Sequence, residues 1–416
     1  MSQNGMGRGR TNLALIKTLT YLMFMMFAMT TDSVGLIIPE IIKTFGLSMT
    51  AAGTFQYATM GGIALAGFFL GSLADRLGRK QTIVIGLSAF GIASFLFAVG
   101  NSFAYFSVLL AISGVAIGVF KTGALALIGD ISTSTTQHTS IMNTVEAFFG
   151  IGSIIGPAVL ARLLTTGVSW KWLYVMAGGI CVLLILIAWK VRYPERIRAE
   201  ETAPGLSHTL LMLKSPYALA FSLGAFLYVA AEAAIYVWMP TLLKGYSGPA
   251  VWLAAYSLSV FFVLRVAGRF AGAWMLTRFD WTSVLALFSG AILICFLGTA
   301  FGGAEVAVYL LPLSGLFMSV IYPTINSKGI SCFPKSEHGA VAGVILFFTC
   351  VSAVLGPLAM GAVSDAMGEP KYGFVLAAGF AALLFLGLLF NWILNPTRIL
   401  LGQLDHTEYD PAPVVR

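Results

Sequence analysis

Five ionisable side chains stand inside long apolar stretches of the sequence, where a charge could bind a polar ligand or carry a proton. They are Asp32, Lys121, Glu146, Glu232 and Arg265. An ionisable group at membrane depth costs roughly 2.5–3.5 kcal/mol on insertion scales, so each is expected to pair with another group or to act on a ligand. Because desolvation disfavours the charged form of a carboxyl group, a buried acid can bind and release a proton near neutral pH. The candidate proton-carrying acid is therefore Asp32 or Glu232, and the sequence does not decide between them.

Glu232 shares one helical face with Tyr228 and Tyr236, which lie four residues before and after it. Two phenols beside a carboxylate suit a polyhydroxylated ligand, and Trp238 could add an aromatic stacking surface. Alternatively, the tyrosines hold the carboxyl by hydrogen bonds inside a helix bundle. Arg265 on the next apolar stretch could pair with Glu232, which would oppose its protonation.

Lys121 and Glu146 lie on consecutive apolar stretches, roughly 13 Å and 9 Å from the ends that face the same side. They can form an ion pair, which would be a structural salt bridge or a gate. Lys121 could instead anchor an anionic or hydroxyl-rich ligand, since cationic side chains bind carboxylates strongly. Arg269, one turn from Arg265, is expected to close the cytoplasmic side. Further candidate ligand-binding residues are Gln56, Tyr57, Tyr322 and Asn326.

The composition places these residues in a membrane protein. Of 416 residues, 58% are hydrophobic and 10% are charged, whereas soluble domains are near 45–50% apolar and about 25% charged. So little charge excludes a soluble multi-domain enzyme, a disordered chain and a nucleic-acid binder. The four cysteines form no CxxC pair and the four histidines lie in polar breaks, so neither a metal site nor a cofactor is expected. No nucleophile and base are paired at membrane depth, which argues against an enzyme.

The apolar segments predict an all-α membrane protein with twelve transmembrane helices. About 20 apolar residues cross a ~30 Å hydrocarbon core. The predicted spans centre near residues 27, 62, 91, 115, 152, 180, 228, 264, 291, 317, 350 and 383. With the N-terminus in the cytoplasm, most of the 24 basic residues fall on inner segments, so the positive-inside rule places both termini there.

The two halves of the chain repeat at an offset of about 200 residues. LLAISG at 109–114 recurs as LLPLSG at 310–315, and Gly156-Pro157 recurs as Gly356-Pro357. Such a duplication predicts two six-helix bundles that enclose a midplane site reached from each side in turn. The predicted bundles are residues 1–190 and 216–397, with a cytoplasmic linker at 191–215 and a cytoplasmic tail at 398–416.

The segment GSLADRLGRK at 71–80 forms a short polar motif between the second and third predicted spans. In it, one glycine allows close helix contact, a second allows a tight turn, and the acid can offset a helix dipole. Arg79 is positioned to meet Asp130 at the end of the fourth span. The motif closely resembles the cytoplasmic loop signature of the major facilitator superfamily, where it is a conformational latch. The resemblance assigns the latch to Gly71, Asp75, Arg76, Gly78, Arg79, Lys80 and Asp130.

Segments 30–53, 148–157 and 227–240 resemble the fucose-permease-like and related sugar porters of that superfamily. In those proteins an acid matching Asp32 is linked to proton coupling, whereas their fourth helix usually carries an acid where this chain has Lys121. The resemblance implies a proton-coupled importer of a small polar solute (a sugar, a sugar derivative or an organic anion) that works by alternating access. We expect a monomer in the lipid bilayer of a bacterial inner membrane.

Two alternatives remain open from the sequence. A proton-driven exporter of drugs or metabolites shares the loop motif, although the fifth span lacks the paired glycines that usually follow Gly156-Pro157 in antiporters. A receptor or scaffold without transport activity is disfavoured because the loops are short.

Overall fold

The computed structural model describes residues 5–70, 73–131, 135–193, 212–334, 337–401 and 403. Every regular element in these ranges is helical. The chain divides into two compact units, Met1–Ala199 (unit 1) and Glu200–Arg416 (unit 2). This boundary falls inside the segment 191–215 that the sequence predicts as a linker.

Unit 1 is built from long helices separated by short turns. Its described helices are α1 Gly5–Thr31, α2 Val34–Phe45, α3 Met49–Ala52, α4 Thr54–Phe69, α5 Leu73–Leu77, α6 Arg79–Leu96, α7 Phe103–Ile131, α8 Thr135–Thr165 and α9 Lys171–Lys190.

Unit 2 repeats this plan and adds two other kinds of helix. A 3₁₀ turn at Met212–Lys214 precedes α10 Pro216–Ala233, which continues as a π-helix at Ala234–Trp238. The remaining helices are α11 Met239–Leu242, α12 Val251–Ala255, α13 Ser257–Arg278, α14 Trp281–Met318, α15 Ile321–Ser331, α16 His338–Met367 and α17 Lys371–Leu394.

The helix pairings of the two units correspond. In unit 1, α1 packs on α8 and α9, α4 packs on α7, and α6 packs on α9. In unit 2, α10 packs on α16 and α17, α13 packs on α14, and α14 packs on α17. The sequence repeat at an offset of about 200 residues is therefore also a repeat of helix packing.

Nine helical segments within the described residues are long and apolar enough to cross a membrane. All twelve predicted span centres lie in helices, and three facts account for the smaller number of segments. α4 has only 16 residues, and α6 begins with the charged residues Arg79 and Lys80. In addition, two predicted spans fall in one apolar segment of 51 residues, Trp281–Ser331. Gly303 breaks it with a positive φ of 61°, which favours glycine. The all-α membrane fold is confirmed, and the number twelve stays a prediction.

The crossing of α1 and α8 is close because two glycines of α8 lie at the contact. A Cβ atom at Gly152 or Gly156 would collide with the carbonyl oxygens of Met25 and Met29 respectively. Small residues allow such backbone approach in membrane helices. Gly356 packs less tightly in unit 2, since a Cβ there would lie 3.0 Å from Ala230 Cα.

Candidate functional site

Asp32 lies where the first apolar span is broken. α1 ends at Thr31 and α2 begins at Val34, so Asp32 and Ser33 form a short turn between two helices. In membrane proteins, a discontinuous helix is tolerated where the irregular backbone is buried or lines a cavity, and it often marks a binding site.

The Asp32 carboxylate contacts α8 directly. The Ser153 hydroxyl donates a hydrogen bond to Asp32 Oδ2, and the Thr31 hydroxyl lies 3.2 Å from Asp32 Oδ1. Ser153 Oγ is also 3.1 Å from the Phe149 carbonyl oxygen. A serine hydroxyl carries one hydrogen and two acceptor lone pairs. It can therefore donate to a charged Asp32, or accept from a protonated Asp32 and donate to the carbonyl.

Glu232 occupies the corresponding place in unit 2, and it is ion-paired. Its Oε1 lies 2.7 Å from Arg265 Nη2, and the two side chains are 10% and 21% exposed respectively. The Tyr228 hydroxyl lies 2.8 Å from the same Oε1 and 2.9 Å from the Met318 carbonyl oxygen. The structure thus contains the Glu232–Arg265 ion pair, which the sequence offered as one of two alternatives for Glu232.

Two of the aromatic candidates have different surroundings. The Tyr322 ring stacks on Tyr228 with centroids 6.0 Å apart, which joins α15 to α10. Trp238 is 1% exposed, and its indole N–H donates to the Pro357 carbonyl oxygen at 3.1 Å. The prediction of Trp238 as a stacking surface for solute is corrected, because its ring is packed inside unit 2.

The remaining aromatic and polar candidates of unit 2 are half-buried. Tyr236 lies in the π-helical segment, and Asn326 follows Tyr322 by one turn of α15. π-Helical turns inside α-helices are frequent at functional sites. Arg269 lies one turn from Arg265 on α13 and is half-buried. Glu232, Tyr228, Tyr322 and Arg265 form what we call the unit 2 cluster.

Lys121 and Glu146 do not form the ion pair that their depths suggest. Among the described residues, no carboxylate oxygen lies within 4.0 Å of Lys121 Nζ, which instead lies 5.8 Å from the Phe149 ring centroid. Glu146 is exposed on the surface of unit 1. The expectation fails because similar depth on neighbouring helices does not fix the direction in which each side chain points. Lys121 gains a cation–π contact in its place.

Gln56 and Tyr57 are adjacent in sequence but lie in different environments. Gln56 is 0% exposed, and neither amide atom has a hydrogen-bond partner among the described residues. Tyr57 borders a groove of about 620 Å³ between α4, α6 and α7. The other lining residues of that groove are glycine, alanine, valine, leucine and isoleucine. Its surroundings are therefore apolar, in contrast to the polar solute site predicted for Tyr57.

The loop motif joins three helix ends of unit 1. Gly78 has φ 90° and ψ 156°, a conformation that L side chains rarely adopt, and it makes the predicted tight turn before α6. Arg79 Nε lies 2.7 Å from Asp130 Oδ2, and Arg79 Nη2 lies 3.3 Å from Asp130 Oδ1. This fork-like pairing ties α6 to α7, as the sequence suggested.

Lys80 makes a contact that the sequence did not predict. Its ammonium donates to the carbonyl oxygens of Trp189 at 3.0 Å and Val191 at 2.9 Å, so it caps the C-terminal end of α9. The ammonium also lies 5.6 Å from the Tyr193 ring, and burial raises the pKa of the Tyr193 phenol to about 12. Gly71 lies outside the described residues, as do the side chains of Asp75 and Arg76.

Ser153 is the functional candidate that sequence reasoning missed. The one available signal was a polar residue inside the apolar segment FFGIGSIIGP, at 148–157. Within the described part of the chain, no cluster of three or more His, Cys, Asp or Glu side chains can hold a metal ion.

Comparisons with known proteins give the chain a family and a group of relatives. The family model of the Major Facilitator Superfamily matches residues 20–357. A gallate transporter of Pseudomonas putida is 26% identical, over 86% of this chain and 87% of its own. A glucose/galactose transporter of Brucella abortus is 25% identical, over 93% of this chain and 95% of its own. A crystal structure of the E. coli fucose:proton symporter FucP matches 91% of this chain and 98% of its own, with a TM-score of 0.62 and 23% identity.

Proposed function

The chain belongs to the major facilitator superfamily, and we propose that it is a proton-coupled symporter of a small polar solute. The solute is a sugar, a sugar derivative or an organic anion, moved by alternating access. Relatives named as gallate, glucose/galactose and fucose:proton transporters support this solute range. The observation that carries the proton coupling is the hydrogen bond from Ser153 to Asp32 at a break between two helices.

Asp32 is the preferred coupling acid of the two candidates. A proton that binds Glu232 must compete with the Arg265 guanidinium 2.7 Å away, and a charged partner favours the ionised form of a carboxyl group. Asp32 instead contacts a hydroxyl that can serve both of its protonation states. When Asp32 takes up a proton, its charge-assisted bond from Ser153 becomes a neutral bond, which is roughly half as strong. Proton binding thereby loosens one tie between α1 and α8.

Polar side chains of each unit provide candidate contacts for the solute. In unit 1 they are Gln56, whose buried amide offers two donors and an acceptor, and Lys121, which lies beside Phe149. In unit 2 they belong to the unit 2 cluster and its neighbours, namely Tyr228, Glu232, Arg265, Tyr322, Tyr236 and Asn326. Glu146 is a weaker candidate, since it makes no ion pair with Lys121 within 4.0 Å among the described residues.

The loop motif supports a latch at one end of unit 1. Arg79 and Asp130 hold α6 to α7, and Lys80 holds α6 to the end of α9. Three helices that move together make unit 1 a rigid body, as rocking transport requires. From the distribution of basic residues, we propose that this end of unit 1 and both termini face the cytoplasm. The membrane is the inner membrane of a bacterium, and the protein functions as a monomer.

Reconstituted transport tests the proposed function. The full chain is placed in liposomes, and uptake of labelled glucose, galactose, fucose and gallate is followed with and without a pH gradient, alkaline inside. We expect at least one solute to accumulate above equilibrium and to leak out when a protonophore collapses the gradient. If the uptake of all four solutes is independent of the pH gradient, the proposal of proton coupling is wrong. Accumulation only when the gradient is reversed identifies the exporter instead.

A further inference from the structure

Trp238 joins two proline-distorted helices of unit 2. Pro240 follows the π-helical segment Ala234–Trp238 by two residues, and Pro357 lies inside α16. A proline ring clashes with the carbonyl group four residues earlier and offers no N–H, so each proline disturbs the helical turn before it. The indole N–H of Trp238 donates to the Pro357 carbonyl oxygen at 3.1 Å. This hydrogen bond therefore ties one irregular helix to the other.

Apolar side chains occupy the corresponding place in unit 1. Pro39 and Pro157 repeat the two prolines at offsets of 201 and 200 residues, which places Ile37 or Ile38 where unit 2 has Trp238. Both isoleucines are 0% exposed, and an isoleucine side chain donates no hydrogen bond. The indole hydrogen bond is thus not a general requirement of the repeated fold, which indicates a role particular to unit 2.

The π-helical turn changes which residue faces outward. A π-turn contains one residue more than an α-turn, so it rotates the side chains that follow by about 100°. The residues 230–240 are all buried except Tyr236, which is half-buried and lies in the middle of the turn. Ile235 and Val237 on either side of it are 0% exposed. The turn therefore presents a single phenol at the surface of a tightly packed segment.

We infer that Trp238 is a positioning residue whose hydrogen bond to Pro357 holds the π-helical turn in the register that presents Tyr236 to the solute. The inference rests on the proposed function, in which Tyr236 is a solute contact. Trp238 does not itself contact solute, because its ring is 1% exposed and packed inside unit 2. Without the indole N–H, the turn can relax toward α-helical geometry. A rotation of about 100° then moves a buried neighbour into the place of Tyr236.

Cysteine labelling tests this register without any solute or gradient. Ile235→Cys, Tyr236→Cys and Val237→Cys are each made in the full-length protein and in its Trp238→Phe variant. The purified proteins are treated with a hydrophilic thiol reagent, and protein without an added cysteine gives the background of the four native ones. We expect position 236 of the parent to react about tenfold faster than positions 235 and 237, because thiol reactivity follows exposure. The Trp238→Phe variant should lose this preference.

Solute affinity tests whether Trp238 acts through Tyr236. The probes are glucose, galactose, fucose and gallate, and binding is measured from their effect on thermal unfolding. Tyr236→Phe and Trp238→Phe should each weaken the binding of the recognised solute about fivefold, as the loss of one neutral hydrogen bond implies. The double variant should also be about fivefold weaker, because residues that act through one contact are not additive. Independent roles would instead multiply to about 25-fold.

Trp170→Phe is the matched control for the loss of an indole. Trp170 is a buried tryptophan of unit 1 and packs against the rings of Phe97 and Phe106. This substitution leaves the π-helical turn untouched, so the labelling pattern and the solute affinity should not change. If Trp238→Phe does not fold, Trp238→Met takes its place, since methionine fills irregular space and also lacks the N–H.

Three results overturn the inference. They are labelling that stays at position 236 in the Trp238 variant, an equal change of labelling in Trp170→Phe, and a double variant about 25-fold weaker than the parent. The two proposals fail separately. If none of the four solutes binds or accumulates, the proposed function is wrong, and the labelling still decides the register. If a solute accumulates with the pH gradient while the labelling is unchanged, the symporter stands and the role of Trp238 is wrong.

Discussion

Asp32 and Glu232 occupy corresponding positions in the two units, 200 residues apart, yet their surroundings differ. Each carboxylate contacts a hydroxyl that also lies near a backbone carbonyl: Ser153 beside Phe149 in unit 1, and Tyr228 beside Met318 in unit 2. Glu232 additionally pairs with Arg265 at 2.7 Å. The repeat has thus preserved an acid and a hydroxyl, and in unit 2 a neighbouring helix adds Arg265 to them.

The ion pairs of the two units show the same contrast. In unit 1, Arg79 pairs with Asp130 at the helix ends, whereas in unit 2, Glu232 pairs with Arg265 inside the spans. The difference teaches that the duplication supplies the scaffold, while single charged residues differ between the halves.

Neutralising the two acids, Asp32 and Glu232, should have the largest effect and should show whether the two units differ in function. Asp32→Asn is expected to reduce gradient-driven accumulation to background while counterflow exchange continues, because the solute contacts proposed for unit 2 are unchanged. Glu232→Gln should keep the dependence on the pH gradient and weaken solute affinity. Both variants are assayed in proteoliposomes, with Glu369→Gln as control, since Glu369 pairs with Lys371 on the exposed surface. Normal accumulation by Asp32→Asn would show that another acid carries the proton.

The Glu232–Arg265 pair is expected to matter for folding as well as for binding. Removing one partner of a buried ion pair leaves a buried charge and costs about 3 kcal/mol. Glu232→Gln and Arg265→Gln should therefore each lower the thermal unfolding temperature, and the double variant should lose less than the two single losses together. Removing the exposed pair Lys371–Glu369 should lower the unfolding temperature much less in the same experiment, because water screens an exposed ion pair. Additive losses would contradict a direct interaction.

Equivalent glycines test whether the α1–α8 crossing is tighter than its counterpart. Gly156→Ala should destabilise unit 1 by about 3 kcal/mol, because the added methyl group collides with the Met29 carbonyl oxygen. Gly356→Ala should cost less, since the nearest atom lies at 3.0 Å. Gly179→Ala meets nothing within 4 Å and serves as the control. Equal effects at Gly156 and Gly356, measured by thermal unfolding, would remove this difference between the units.

The Ser153 hydroxyl should have a smaller effect on transport than Asp32 itself. Ser153→Ala is expected to slow proton-coupled uptake about fivefold, as the loss of about 1 kcal/mol of hydrogen bonding implies. Ser153→Thr keeps the hydroxyl and should retain most of the rate. Initial uptake rates in proteoliposomes distinguish the two, and equal rates for the alanine and serine proteins would show that Asp32 works without this contact.

The smallest predicted effect concerns the loop motif. Arg79→Lys keeps the charge but loses the two-point contact with Asp130. We expect a loss of about 1 kcal/mol in the free energy of unfolding, because both side chains are only half-buried. A Lys80→Met variant should be similarly mild. Cysteine accessibility on α7 and α9 then reports whether these helix ends separate, and unchanged accessibility would argue against a latch.

The sequence by itself determined the membrane environment, the internal repeat and the residues that could take part in chemistry. Because only 10% of the residues are charged, the chain is expected to lie in a lipid bilayer. The lengths of its apolar segments predict the helices. Matching segments 200 residues apart predict the repeated packing. Asp32, Glu232, Arg265 and Arg79 all stood out because a charge or motif in an apolar chain is conspicuous. These features depend on composition and spacing along one chain, which need no knowledge of neighbours in space.

Only the tertiary structure decided which of those groups meet. It paired Glu232 with Arg265, kept Lys121 and Glu146 apart, packed Trp238 inside unit 2 and brought Ser153 to Asp32. Such contacts depend on the rotation of each helix about its axis, and that rotation is fixed by packing. At the α1–α8 crossing, the absence of a Cβ atom at Gly152 and Gly156 is what allows the backbones to approach. The spacing of residues along the chain predicts how deep a side chain lies in the membrane. The direction in which that side chain points is set by the packing of its helix against the neighbouring helices.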